Sequence, residues 1–436
     1  MSAASTVTFR YSGRIRDLDS SAYRQLCDRS TSSDRAIRDR VAAIITDVRA
    51  RGDAALRDLA QRYDGASLES LEVPRRHWMH ALDNLDDNLR RAMERSARNI
   101  ACVHSASRPV PFECEPEPGI TVGRRPDPLG RVGVYAPGGS AAYPSSVLMG
   151  AVPARAAGVG EIVLCSPARD TGPSPIVLAA AAIAQVDRVF AAGGAGAIAA
   201  MAYGTESIPR ADRIVGPGNA YVAEAKLQVT GAVAIDSPAG PSELLVLADD
   251  ACDPTAVAME LVAQAEHDPR ACVVAVAVGD DTTCRLTDAL FAIVPAQPRR
   301  DIVASAFAHH GGVLSAASID EAIAFANDYA PEHLLLALAE PDAALARIRS
   351  AGTVLVGASA SVSFGDYMTG ANHVLPTGGL ARSYSGLSPL DFVRWSTYQR
   401  VSPNAAATLA EDVAVFARGE GLPGHAAAAL RAGGLT

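Results

Sequence analysis

RVGVYAPGG, residues 131–139, decides the architecture. A short run of β-branched and apolar residues that stops at Pro-Gly-Gly reads as a buried strand ending in a turn. The same design recurs in EIVLCSP (161–167), RVFAAGG (188–194) and RIVGPGN (213–219), with alanine-rich helical stretches between. Strand, loop and helix in alternation predict parallel α/β units, because parallel neighbours need a crossover and a helix supplies it. AVAID (232–236) and ELLVLAD (243–249) read as further strands. ACVVAVAVG (271–279) and GTVLVG (352–357) complete a second α/β set.

Outward from that centre the pattern is helical. Residues 34–62 carry apolar positions at helical spacing between charges and read as two helices broken at Gly52-Asp53. Residues 84–105 read as another amphipathic helix. Asp253 reads as an N-cap, with Pro254 at the first helical position, of a helix that runs to Gln264 and His267. Past residue 383 the pattern is polar and helical without clear strands, which points to a separate C-terminal piece.

A chain of 436 residues exceeds one ordinary core, so two or more domains are expected. At 49% hydrophobic and 20% charged it has a globular composition. A net charge of −9 argues against nucleic acid or an anionic membrane as partner. The N-terminus lacks the apolar core of a signal peptide, and no stretch is long enough to span a bilayer. Seven scattered cysteines, an odd number without a CxxC pair, argue against a disulfide framework and against thiolate zinc. A reducing cytoplasm is the expected location.

Several constellations offer chemistry. Gln264 and His267, at i and i+3 on one helix face, end an otherwise apolar run, where a core helix has no use for them. His267, Asp366 and His425 with Gln264 would make a nitrogen and oxygen metal site without sulfur. Glu332-His333 places two titratable groups at the start of an apolar element; histidine can take a proton near neutral pH and glutamate can activate water. Asp366 and His373 sit seven apart in a glycine-rich segment. Gly194-Ala-Gly196-Ala-Ile-Ala199 fits a dinucleotide fingerprint, though small residues there serve close helix–strand packing equally well. Gly216-Pro217-Gly218-Asn219 is a second loop able to approach a cofactor. His77, His80, His104, His309 and His310 have no such company and read as surface or satisfied core residues.

GRVGVYAPGGSAAYPSSVLM, GPGNAYVAEAK, DSPAGPSELLVLAD, QAEHDP, YAPEHL, GDYMTGANHVLPT and EGLPGH occur in that order. Together, from about residue 34 to 430, they resemble the histidinol dehydrogenases. The resemblance implies oxidation of L-histidinol through the aldehyde to L-histidine, the last two steps of histidine biosynthesis, with NAD and one zinc ion per subunit. It implies zinc ligands Gln264, His267, Asp366 and His425, and an acid/base pair Glu332 and His333, with a neutral His333 as the first base. Ser242, His333, His373 and Glu420, beside the zinc ligands, would hold the substrate. Tyr135, Asn219 and position 196 would meet NAD. Family members usually read GGAQAIAA where this chain has Gly196, which lacks a side chain for that contact; the fingerprint match reads as a product of this substitution. A related zinc and NAD dehydrogenase of another small alcohol, such as sulfopropanediol, would share the metal ligands.

The implied fold is α/β, with two Rossmann-like parallel-sheet domains, one inserted in the other, and helical N- and C-terminal arms. The expected division is 1–33 for the N-terminal arm, 34–134 with 240–383 for the metal and catalytic domain, 135–239 for the inserted NAD domain, and 384–436 for the C-terminal arm. The resemblance also implies a homodimer in which the C-terminal arm completes the neighbour's site through Glu420 and His425.

Overall fold

The computed structural model describes residues 7–29, 35–138, 142–169 and 172–435; Gly139, in the opening stretch quoted above, lies outside them. The chain divides into two compact units: residues 7–107 with Gly130–Phe392 among the described residues, and Arg108–Leu129 with 393–435.

The first unit holds two wholly parallel sheets. One has six strands in the order Tyr11–Arg14, Gly312–Ala316, Cys272–Val278, Glu243–Ala248, His333–Ala337 and Thr353–Val356. The other has five, ordered Arg188–Ala191, Glu161–Ser166, Arg131–Tyr135, Arg213–Val215 and Ala234–Ile235. In chain order the five fall between the first and second strands of the larger sheet, so one sheet is inserted within the other. The inserted sheet takes in the whole of Arg131–Tyr135.

The physical reason is two-sided burial. Covered by helices on both faces, parallel strands read as unbroken apolar runs, as the quoted segments do. Along Glu243–Ala248, Leu244, Val246 and Ala248 join a core with Val257 and Leu261 of the helix Pro254–Ala265. Leu245 and Leu247 point the other way, toward Ala322 and Phe325 of the helix Ile319–Tyr329.

Local signals place several elements. Asp253 caps its helix by accepting the Thr255 N–H at 2.9 Å, with Pro254 following. Gly52, at φ +54°, separates the helices Arg35–Arg51 and Asp53–Leu59. His104 departs from its expected reading: it is buried on Asp87–Ala106, but neither ring nitrogen has a hydrogen-bond partner among the described residues. Burial pushes its pKa down and favours the neutral ring.

The N-terminal arm contributes a strand as well as helix. Tyr11–Arg14 pairs with Gly312–Ala316 at the sheet edge, and the helix Ser20–Cys27 follows, capped by Asp19. Gly312 permits that pairing, since a Cβ there would lie 1.9 Å from the Tyr11 carbonyl oxygen.

The second unit is a three-stranded antiparallel sheet, Val393–Val401, Ile120–Pro128 and Phe112–Glu117, with two helices, Pro403–Gly419 and Pro423–Ala432, packed on each other. The strand Val393–Val401 corrects the expectation of a C-terminal piece without strands. Its Arg394, Ser396, Gln399 and Arg400 read as polar helix, yet it is a half-exposed strand with no need of an apolar run. Among the described residues no helix is long and apolar enough to cross a membrane.

Gly312→Ala is expected to prise the first strand from the sheet, at a cost of ~1–3 kcal/mol for overpacking. Limited proteolysis under native conditions checks it: the variant should be cut within residues 7–29, and resistance equal to the parent would contradict this account of the edge.

Candidate active site

Parallel sheets have two distinct edges, and the candidate residues use both. The cofactor candidates lie at the carboxyl ends of the inserted sheet, the usual ligand edge of such sheets. Tyr135 is the last residue of Arg131–Tyr135, and Asn219 follows Arg213–Val215. The acid/base candidates lie at the amino ends of the larger sheet, where His333 opens His333–Ala337 and Glu243 opens Glu243–Ala248. Asp236–Ser242 connects the two edges; seven residues of chain span at most about 25 Å.

At the amino edge, Glu243 holds the pair from both backbone and side chain. Its N–H donates to Glu332 Oε2 at 2.7 Å, its carboxylate accepts the Glu332 N–H at 3.3 Å, and its carbonyl oxygen faces His333 Nδ1 at 3.1 Å. Glu332 Oε2 is 3.5 Å from His333 Nδ1, and Asp366 Oδ1 is 3.5 Å from Nε2. The Gln264 amide nitrogen is 3.3 Å from Nδ1. Gln264, Glu332 and His333 are all buried.

Electrostatics follow from this enclosure. Burial pushes the Glu332 carboxyl up. For His333 burial acts downward, but Glu332 and Asp366 outweigh it and push the ring up to about 10. Burial also raises Asp366, yet its bond to His333 and the rings of His373 and His267 hold it below the ordinary carboxylate range. The two flanking carboxylates thus favour the protonated ring of His333. A cation engaging Asp366 weakens that hold.

Two further residues carry this arrangement, and sequence reasoning missed both. The Glu243 carboxylate is 2% exposed and receives Arg29 through Nε at 2.9 Å and a terminal nitrogen at 3.0 Å, with the Gly378 N–H at 2.8 Å. Arg29 also stacks over the Tyr329 ring at 3.4 Å and donates to its carbonyl oxygen. Their only sequence signal is Glu243 itself, a charge opening a run of apolar residues.

The remaining candidates sort as follows. His267 lies just beyond the helix Pro254–Ala265, not on its face: Glu266 is the C-cap, and Pro269 disfavours a helical Asp268. Asp366 sits on a short helix, Val362–Tyr367, and its carbonyl oxygen is 3.1 Å from His373 Nδ1. Ser242 precedes its strand and accepts the Cys272 N–H at 2.9 Å. Tyr135 is buried and its hydroxyl accepts the Gly194 N–H at 3.1 Å; burial pushes it up to about 12. Asn219 is exposed and caps Ala220–Val229, accepting the N–H groups of Tyr221 and Val222. A Cβ on Gly196 would sit 2.7 Å from Leu59 Cδ1, so a side chain's first step there runs into helix packing. Glu420 and His425 belong to the second unit, at the end of Pro403–Gly419 and on Pro423–Ala432, both exposed.

Among the described residues no group of three His, Cys, Asp or Glu is poised as a metal cage. The donor chemistry nevertheless fits a divalent ion. A buried amide, and a carboxylate under the influence of the His267, His333 and His373 rings, supply nitrogen and oxygen donors of the kind zinc accepts.

Arg29→Met leaves the Glu243 carboxylate buried without its cation. A loss of ~3–5 kcal/mol is expected on breaking a buried pair, with partial recovery in Arg29→Met/Glu243→Gln. Denaturant unfolding of both variants checks this; a single variant as stable as the parent would contradict it.

The family model described as histidinol dehydrogenase matches residues 27–432. A histidinol dehydrogenase of Xanthomonas euvesicatoria pv. vesicatoria is 46% identical over 400 residues, covering 91% of this chain and 93% of that protein. One from Methanosarcina mazei is 43% identical over 390 residues, covering 89% and 90%. The crystal structure of histidinol dehydrogenase from Elizabethkingia anophelis superposes with a TM-score of 0.91 at 34% identity, covering 97% of each chain. With a match over nearly its whole length, this chain belongs to the histidinol dehydrogenase family.

Proposed function

We propose that this protein converts L-histidinol through L-histidinal to L-histidine in histidine biosynthesis, with two NAD and one water per substrate. The observation that carries the reading is the buried Glu332–His333 pair, flanked by Gln264 and Asp366, in a chain of this family.

Zinc held by Gln264, His267, Asp366 and His425 would fix the amino and imidazole nitrogens of the substrate, and NAD would accept each hydride. The chain's own residues handle protons and position. With Nδ1 turned to the Glu243 carbonyl, His333 presents Nε2 toward Asp366, and that nitrogen takes the alcohol proton once the ring is neutral. Glu332 takes the proton of the water that attacks the aldehyde. Ser242, His333, His373 and Glu420 hold the substrate with the metal ligands. Keeping one substrate in place for two oxidations is chiefly a matter of orientation, which enclosed groups serve best. Tyr135, Asn219 and Gly196 would meet NAD.

The active form on this reading is a homodimer in which Glu420 and His425 enter the neighbour's site. Val415 and Phe416 support it, standing exposed on Pro403–Gly419 as apolar surface suited to a partner. All seven cysteines are free, which suits a reducing cytoplasm.

An NADH assay with limiting histidinol tests the chemistry. The parent should yield two equivalents of NADH per substrate and lose activity to a zinc chelator; Glu332→Gln should stop near one, releasing aldehyde. No NADH from histidinol, or no effect of chelation, would defeat the reading. The dimer has a separate test. His267→Ala and His425→Ala should each be inactive, and refolding them together should restore roughly a quarter of parental activity, since half the dimers regain one intact site. A mixture that stays inactive counts against shared sites.

A further inference from the structure

Two motifs contain charged residues to which no role in the reaction has been given: Lys226 closes GPGNAYVAEAK and Asp236 opens DSPAGPSELLVLAD. The fold buries them together. Lys226 is 3% exposed and Asp236 5%, and they form a direct ion pair. Both also reach one residue, Gly216, in the loop that precedes them. Lys226 Nζ donates to the Gly216 carbonyl oxygen at 3.0 Å, and Asp236 Oδ2 accepts the Gly216 N–H at 2.8 Å.

Gly216 has little freedom of its own. It sits at φ +119°, and a Cβ there would lie 2.1 Å from the Tyr135 carbonyl oxygen. The loop is thus pressed against the end of the strand that carries Tyr135. A Cβ on Gly218 would lie 2.3 Å from Val222, so the loop also lies tight on the helix that follows. Asn219 ends the loop with its side-chain oxygen committed to the helix cap, which leaves its amide N–H groups directed by the loop backbone.

We infer that Lys226 and Asp236 are positioning residues for the dinucleotide: by gripping both polar groups of Gly216 they fix the Gly216–Asn219 loop at the carboxyl edge where NAD docks. This rests on the proposal above that the loop meets NAD. Stability alone is a weak account of the pair, because a buried ion pair is often matched or bettered by apolar residues of similar volume. A clamp on both polar groups of one glycine is something apolar residues cannot supply.

The test uses the full-length protein, with the NAD dissociation constant from titration calorimetry, KM values for NAD and histidinol, and the thermal midpoint. Lys226→Met/Asp236→Leu should still fold, its midpoint lowered by a few degrees for the unpaired Gly216 groups, yet bind NAD about tenfold or more weakly, with the histidinol KM changed less than about twofold. Parental NAD affinity in this variant would overturn the inference, as would equal losses for both substrates. If the double variant does not fold, Lys226→Arg decides: it keeps the charge but not the ammonium geometry, and should weaken NAD several-fold with a parental midpoint, whereas unchanged affinity would overturn the inference. Asn219→Asp, which keeps the helix cap, separates the underlying reading. If it leaves NAD binding untouched, the loop is not a cofactor contact. If it weakens NAD while the Lys226 variants do not, the clamp alone fails.

Discussion

A carboxylate shut away from water needs a cation and several N–H groups, and the amino end of the larger sheet is organised around one. Glu243 is answered by Arg29 and by the N–H groups of Gly378 and Glu332. With the side chain so held, the Glu243 backbone presents an N–H to Glu332 and a carbonyl oxygen to His333. The demand reaches back to the N-terminus: Arg29 follows the strand Tyr11–Arg14 and the helix Ser20–Cys27, so docking of the first strand at Gly312 helps to set where the guanidinium ends. Tyr329 completes the socket as the surface on which Arg29 lies.

The two sheets divide the labour by their edges. Carboxyl ends of parallel strands open into loops that lead to helix N-termini, which suits a dinucleotide, and the Tyr135 and Gly216–Asn219 candidates lie there. The larger sheet is used at its amino ends. The chain entering Glu243–Ala248, Cys272–Val278 and His333–Ala337 brings charged and polar side chains to one rim, over a core in which Leu244, Leu245 and Leu334 are fully buried. The connection from Asp236 to Ser242 is anchored at one end by Lys226 and, at Gly240, by the Thr377 hydroxyl at 2.5 Å. On the proposed function, a link anchored in this way would join the NAD edge to the acid/base edge, as two successive oxidations of one bound molecule require.

Gly196 shows how one local pattern admits a packing reason beside a cofactor one. GxGxxA between a strand and a helix invites a phosphate. The backbone does open the helix Gly194–Tyr203, but the missing side chain points at Leu59 and Leu56. Glycine there serves helix-on-helix packing, for which a small residue is sufficient. The Gly216 loop, with no formal fingerprint, is the more constrained of the two.

What the sequence determined by itself is whatever depends on neighbours along the chain. Parallel strands announced themselves because two-sided burial demands unbroken apolar runs. Asp253-Pro254 and Gly52 marked helix ends because capping and positive φ are decided within a turn. The ordered motifs supplied the candidates for the acid/base pair and the metal donors. Tertiary structure alone decided the partners: Arg29 for Glu243, 214 residues away, Asp366 for His333, and the grip of Lys226 and Asp236 on Gly216. It also brought the two carboxylates, Glu332 and Asp366, that push the His333 ring upward. Such pairings leave no periodic trace, because any of 39 basic and 48 acidic residues could meet, and only the path of the chain selects which charges are taken out of water together.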